Sequence, residues 1–160
     1  DLFDVVCLSN SLHHLLDIGK TIAEMKRVLK PNGVLLFNEM YCDNQDEKQL
    51  THVYFHHFWA EIDRMNDITH NETYKREEII QILTKTSGFK IPKSWDFYGN
   101  DSGELTEDET EELMNSIDKT LERVKESCEL HKYEMKAEKL KERLRKVGFK
   151  GATQLMVALK

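Results

Sequence analysis

The 160-residue sequence predicts an α/β fold built on a partial, mostly parallel sheet, and three observations carry that prediction. Two short apolar runs, one from Leu2 to Leu8 and one from Val34 to Phe37, read as strands covered on both faces. Between them Ile18, Ile22, Met25, Val28 and Leu29 recur at three- and four-residue steps, the stripe of an amphipathic helix. Strand, helix, strand is the order of a βαβ unit, in which the two strands lie parallel and the crossover is right-handed.

Each further element follows from local chemistry. Polar Ser9-Asn10-Ser11 closes the first strand, and Lys30-Pro31-Asn32-Gly33 is a turn that stops the crossover helix. Beyond Glu39 a loop from Tyr41 to Asp46 leads into a helix from about Glu47 to Met65. Leu50, Val53, Phe58 and Ile62 supply one face of it, and it is dense in aromatics. A shorter helix holds Ile79, Ile80, Ile82 and Leu83 and ends at Gly88. Phe89 to Tyr98 reads as a third strand, with Phe89, Ile91, Trp95 and Phe97 alternating with polar residues.

Asn100-Asp101-Ser102-Gly103 marks a loop and a shift to charge-rich composition. Thr106 with Glu109 fits a capping box, and Leu113, Ile117, Leu121, Val124 and Cys128 form one apolar stripe. The stripe changes register near Leu130 and resumes as Tyr133, Ala137, Leu140, Leu144 and Val147, which suits either a bent long helix or a helical hairpin. Gly148 closes this region, and Ala152 to Leu159 is a final strand with Leu155, Val157 and Leu159 on one face.

Composition narrows the partners. A formal net charge of -6 and a pI near 5.7 argue against a nucleic-acid footprint, which needs clustered Lys and Arg. Three widely spaced cysteines without a CxxC pattern suit a reducing compartment, so the cytoplasm is expected. No apolar run approaches the length that spans a bilayer, and no membrane partner is expected. The chain opens on Asp1 and enters an apolar strand within two residues, as a fragment would.

The segment from Leu2 to Glu39, LFDVVCLSNSLHHLLDIGKTIAEMKRVLKPNGVLLFNE, resembles the fourth strand, following helix and fifth strand of class I S-adenosylmethionine-dependent methyltransferases. The strand FDVV, the LHHL turn with its Asp, the helix end RVLKPNG and the strand VLLF stand in matching order. Asn32 stands where the family commonly has Gly, and Asn also tolerates the left-handed conformation. Gly88-Phe89 and the terminal MVALK resemble the family's last two strands, an antiparallel hairpin at the sheet edge. The resemblance implies a partial Rossmann-like methyltransferase sheet. Its expected bounds are residues 1–99 for the C-terminal part of the methyltransferase domain, 104–147 for a helical insertion, and 152–160 for the final strand. The family's glycine-rich loop has no counterpart, because GxGxxG does not occur in the 160 residues, so the fragment alone is expected to bind cofactor poorly and to be inactive.

The implied cofactor is S-adenosyl-L-methionine and the implied acceptor a small molecule. Methyl transfer from a sulfonium is a direct displacement, so positioning residues are expected rather than a nucleophilic triad. Ligands of open α/β sheets sit outside the carboxyl ends of the strands. That places Ser9, Asn10, Ser11 and Leu12 at the cofactor edge, with Ser9 and Asn10 touching the methionine part by the resemblance. His13 or His14 is a candidate general base, against packing on the sheet or solvation; Glu39 faces substrate or caps a loop. Tyr41, His56, His57, Trp59 and His70 are expected to line a substrate pocket, the aromatics favouring a ring-bearing or cationic substrate. His52, His56, His57 and Glu61 also have helical spacing that holds metals, but with no Cys ligands near, no metal is expected.

The charged helices 104–147 suit a solvated surface, a lid or a homodimer interface. Two other readings stand beside methyl transfer. One is a non-catalytic α/β remnant that binds a partner through those helices, and the other a nucleotide-dependent oxidoreductase, since crossover sheets serve both chemistries. An apolar strand lacking its neighbours exposes an edge, so marginal stability or self-association is expected.

Overall fold

The computed structural model describes residues 2–86, 88–91, 93–98 and 105–160. The loop expected at Asn100–Gly103 lies outside the described residues. The chain forms two compact units, one from Asp1–Asp43, Thr73–Tyr98 and Thr153–Lys160, the other from Asn44–Glu72 and Gly99–Ala152.

The first unit is the sheet. β1 (Phe3–Ser9) is followed by a 3-10 turn at Leu12–His14, α1 (Ile18–Val28) and β2 (Leu29–Met40). The Asp17 side chain caps α1 by accepting from the Lys20 amide at 2.9 Å. β1 and β2 are parallel, with Leu8 opposite Phe37. β4 (Gln154–Leu159) inserts antiparallel to β2, and β3 (Lys93–Phe97) pairs antiparallel with β4, so the order is β1-β2-β4-β3. This is the parallel pair with an edge hairpin that the sequence predicts. Leu155, Val157 and Leu159 are all buried, joined by Leu8, Leu12, Ile22, Leu35, Phe37 and, from α3 (Arg76–Gln81) and the π turn after it, Ile79 and Leu83.

Several expectations are corrected here. β1 is not covered on both faces: Phe3 and Val5 are 51% and 50% exposed while Leu8 is buried, because β1 is the sheet's edge and the described chain covers only one parity of its side chains. Lys30-Pro31-Asn32-Gly33 does not separate helix from strand; it is an irregular stretch of β2. Phe3 pairs with Leu29 and Val5 with Val34, so two steps on β1 face five on β2, a bulge. Asn32 does not use a left-handed φ, whereas Asn10, Asn44 and Asp67 do. Finally, regular pairing in the third strand begins only at Lys93, although Lys90 exchanges both backbone hydrogen bonds with Lys160 at 2.9 and 3.1 Å. Trp95 and Phe97 are exposed, as edge-strand residues of the uncovered parity.

The second unit is helical: α2 (Glu47–Met65), α4 (Glu107–Leu121) and α5 (Leu130–Val147). Reciprocal boxes cap α2 through Asp46 and Gln49 and α4 through Thr106 and Glu109. α4 and α5 are separate helices joined by a 3-10 turn and a short loop, the hairpin alternative. α2, expected with the sheet, instead packs its Phe55, Phe58 and Ile62 with Ile117, Val124, Tyr133, Ala137, Leu140 and Leu144. Cys128, expected on the apolar stripe, is exposed in the loop between α4 and α5, where the helical period has already lapsed.

Candidate functional site

The carboxyl ends of β1 and β2 meet around one buried carboxylate. Glu39, next to last in β2, is 1% exposed. Its Oε2 accepts from the Leu12 amide at 2.8 Å and its Oε1 from the Met40 amide at 3.1 Å. His13 Nδ1 lies 3.0 Å from Oε1, and His13 is equally buried. A buried charge is tolerable only when its oxygens are engaged in this way. The result is that the loop after β1 is tied to the end of β2 at two consecutive residues.

That tie fixes what the loop presents. Asn10 takes φ 45°, a left-handed turn that Asn adopts more readily than most residues, and its amide donates to Asn38 O at 2.9 Å. Ser9 and Asn10 are exposed. The half-buried Ser11 donates its hydroxyl to Ser9 O at 2.7 Å. Leu12 is wholly buried and its amide is taken by Glu39, so it contributes core packing. His14 is exposed, its ring 4.3 Å from that of His13. Of the residues expected at this edge, Ser9, Asn10 and His14 therefore face outward, while Leu12, His13 and Glu39 face in and hold the turn.

Tyr41, just past β2, is buried, and its amide donates to Thr153 O at 3.5 Å. Burial and then the Asp96 charge push its phenol above the ordinary tyrosine value, so it stays protonated at neutral pH. Tyr74 is raised by burial and by Glu39 and Glu78, and Cys42 by burial and by Asp43. These groups are hydrogen-bond partners rather than nucleophiles at neutral pH. Sequence reasoning missed the clamp beside them: Arg76 Nε donates to Asp96 Oδ1 at 2.8 Å and its amide to Asp43 Oδ1 at 2.8 Å. Lone charged residues on three separate segments leave no local pattern to find.

In the helical unit α2 and the segment after it bring His56, Trp59 and His70 together and separate His57. His70 Nδ1 is 2.6 Å from Asp63 Oδ2, His70 Nε2 is 3.3 Å from His56 Nδ1, and the Trp59 ring lies 5.9 Å from that of His56. Arg123 closes the chain on Asp63 Oδ1 at 2.6 Å. Burial alone would raise the Asp63 carboxyl, but the hydrogen bonds from His70 and Arg123 outweigh it and hold it below the usual carboxylate value. Asp63 was not singled out in the sequence, although it sits seven residues after His56 and so on the same helical face. His57 points elsewhere, lining a cavity with Phe58 and Leu140, and burial lowers its affinity for a proton.

Comparison with known proteins agrees with the sheet. Residues 1–37 match a family described as methyltransferase domain. A cyclopropane-fatty-acyl-phospholipid synthase-like protein from Lactobacillus casei ATCC 334 superposes with a TM-score of 0.67 at 12% identity, over 99% of this chain and 56% of that one. The chain shares its fold with part of that protein. A candidate methyltransferase from Bacillus halodurans C-125 superposes with a TM-score of 0.50 at 17% identity, over 99% of this chain and 64% of its own. The chain thus spans 56% and 64% of the lengths of those two proteins. No curated protein matches the sequence. Among the described residues no helix is long and apolar enough to cross a membrane.

Proposed function

We propose that this chain is the C-terminal part of an S-adenosylmethionine-dependent methyltransferase acting on a small molecule, and that the complete domain carries the activity. The observation that carries the reading is the strand-end turn, in which exposed Ser9 and Asn10 are held by buried Glu39 at the carboxyl edge of a sheet of this fold. The donor set fits the methionine end of the cofactor, since a hydroxyl, a carboxamide and the left-handed Asn10 backbone offer both donors and acceptors to an amino acid moiety. The adenosine end has no glycine-rich loop to meet in these 160 residues. When bound, the cofactor supplies an electrophilic methyl group on a sulfonium.

This chain's residues then act by position. Ser9 and Asn10 hold the methionine moiety, Glu39 and His13 keep their turn in place, and protonated Tyr41 offers a fixed hydrogen-bond partner. Within the helical unit, Asp63 fixes the Nδ1–H tautomer of His70, which in turn holds the His56 ring, with Trp59 packed edge-on against it. No metal is invoked.

Titration with S-adenosylhomocysteine, followed amide by amide in nitrogen-15 correlated NMR spectra, tests the reading. Weak binding is expected, with a Kd of about 1 mM, equivalent to about 4 kcal/mol, and shifts confined to residues 9–12 and 39–41. A native spectrum in which those amides do not move at several millimolar ligand overturns it.

A further inference from the structure

The helical unit contains a second ligand-sized space that methyl transfer does not use. A cavity of about 340 Å³ lies between α2 and α5. Phe58 and Leu140, both buried, form its apolar base, and the half-exposed Tyr54 ring forms one wall. Its cations come from α5, which carries seven Lys and Arg against three Glu over residues 130–147, a local reversal in a chain of net charge -6.

Those cations are not equivalent. Lys136 is committed to Glu61, to whose two carboxylate oxygens it donates, one bond being 2.6 Å. Arg143 is committed to Glu47 at 2.7 Å and Thr51 at 3.1 Å, with its guanidinium 5.0 Å from the centre of the Tyr54 ring. Lys139, on the cavity lining between them, has no ion pair or hydrogen bond among the described residues. His57, the remaining titratable lining group, has its protonation suppressed by burial and so adds no fixed charge. The charges at the mouth therefore cancel except for one ammonium above an aromatic and aliphatic floor.

We infer that this cavity binds an apolar monoanion, a carboxylic acid with an aromatic or short aliphatic body, its carboxylate on Lys139 and its body against Tyr54, Phe58 and Leu140. The charge count selects the class. A cationic ligand meets a net positive rim, a neutral one leaves the Lys139 ammonium to water, and a polyphosphate finds one uncommitted cation where it needs several. The volume is at the lower end of small-molecule pockets, which excludes long chains. The site goes beyond the methyl-transfer reading and lies within the helical unit alone.

The test is binding of 4-phenylbutyrate, with neutral 4-phenylbutan-1-ol as the matched control, by NMR shift mapping on the intact chain at pH 7. Expected are shifts on the 54–61 and 136–143 amides and about tenfold tighter binding of the acid than of the alcohol. Lys139→Gln should remove that tenfold preference while leaving the alcohol's affinity and the thermal melt unchanged. Tyr54→Ala should weaken both ligands together. Equal affinities in the parent protein, an acid preference that survives Lys139→Gln, or shifts centred instead on the exposed apolar residues of β1 would each overturn the inference. Retained S-adenosylhomocysteine shifts at residues 9–12 in Lys139→Gln would show that the two sites stand or fall separately.

Discussion

Replacing Glu39 by Ala removes the carboxylate on which the strand-end turn depends, and the structure sets the size of the loss. Two buried backbone amides, Leu12 and Met40, lose their acceptor, and a buried donor left without a partner costs about 1–3 kcal/mol. Leu12 is wholly buried, so water cannot replace the lost partner without opening the core, and buried His13 loses its neighbour as well. Breaking one side of a buried pair typically costs about 3–5 kcal/mol, and that is the expected destabilisation. Glu39→Gln should cost about half, since its carbonyl still accepts from one amide. Urea unfolding at pH 7 in a Trp59→Phe background leaves Trp95 on β3 as the reporter of the sheet unit. A double-mutant cycle with His13→Asn should give a coupling of at least about 1 kcal/mol, as expected for groups in contact. A loss below about 1 kcal/mol in Glu39→Ala, with an unchanged m value, would refute the argument that this carboxylate holds the turn.

Further expectations rest on single observations. Asp63 is held below its ordinary value in the folded state, so its contribution is present above the unfolded carboxylate value of about 3.9 and is lost as pH falls through the folded one. Asp63→Asn should therefore cost about 1.5–3 kcal/mol at pH 7, with the gap to the parent closing below about pH 4 in acid titrations of stability; a gap that stays constant sinks the assignment. Burial depresses the proton affinity of His52, whose Nδ1 accepts from the Ala152 amide at 2.9 Å. The unfolded chain then binds the extra proton, so stability falls as pH drops below about 6.5, and His52→Gln should flatten that slope in pH-dependent denaturation. A Cβ on Gly33 would lie 2.8 Å from Leu29 Cδ2 and 3.1 Å from two carbonyl oxygens, whereas one on Gly151 meets nothing within 4 Å. Gly33→Ala should lose about 1–3 kcal/mol in thermal melts and Gly151→Ala almost nothing; equal effects would contradict the bulge packing. Val5→Lys on the exposed edge should shift sedimentation of concentrated protein toward monomer, and unchanged association would place any self-contact elsewhere.

The parts of the fold legible in the sequence are those where one chemical constraint acts alone. The capping box at Thr106 and Glu109, the close at Gly148 and the alternation of Leu155, Val157 and Leu159 each depend on neighbours a few residues away, and each is found where the pattern puts it. What was misread depended on partners far along the chain. The same apolar run makes β1 look buried whether or not a layer covers each face, and only the sheet order decides that Phe3 and Val5 stay open. The Pro31 to Gly33 stretch has the composition of a turn, yet pairing with β1 draws it into β2 as a bulge. Helical period located α2 but could not say which apolar surface would receive it. In the candidate site, Ser9 and Asn10 follow from strand-end position, whereas the inward direction of Glu39 and His13 and the role of Asp63 follow from side-chain geometry alone.

That inward direction decides what kind of residue Glu39 is. A carboxylate that accepts from the Leu12 and Met40 amides, is 1% exposed and lies against His13 is spent on the turn rather than presented at the surface. On the proposed reading it is a positioning residue, and two consequences separate that role from a catalytic one. Loss of a group acting only in the transition state lowers kcat and leaves cofactor affinity intact, whereas loss of the tie between the two strand ends displaces Ser9 and Asn10 and weakens the cofactor itself. Because Glu39→Gln retains one of the two amide bonds, it should recover a substantial part of the S-adenosylhomocysteine shifts at residues 9–12 that Glu39→Ala abolishes. A Gln variant as deficient as the Ala variant, on a sheet unit that is still folded, would mean that the charge rather than the hydrogen-bond geometry matters, and would return Glu39 to the list of groups that face the ligand.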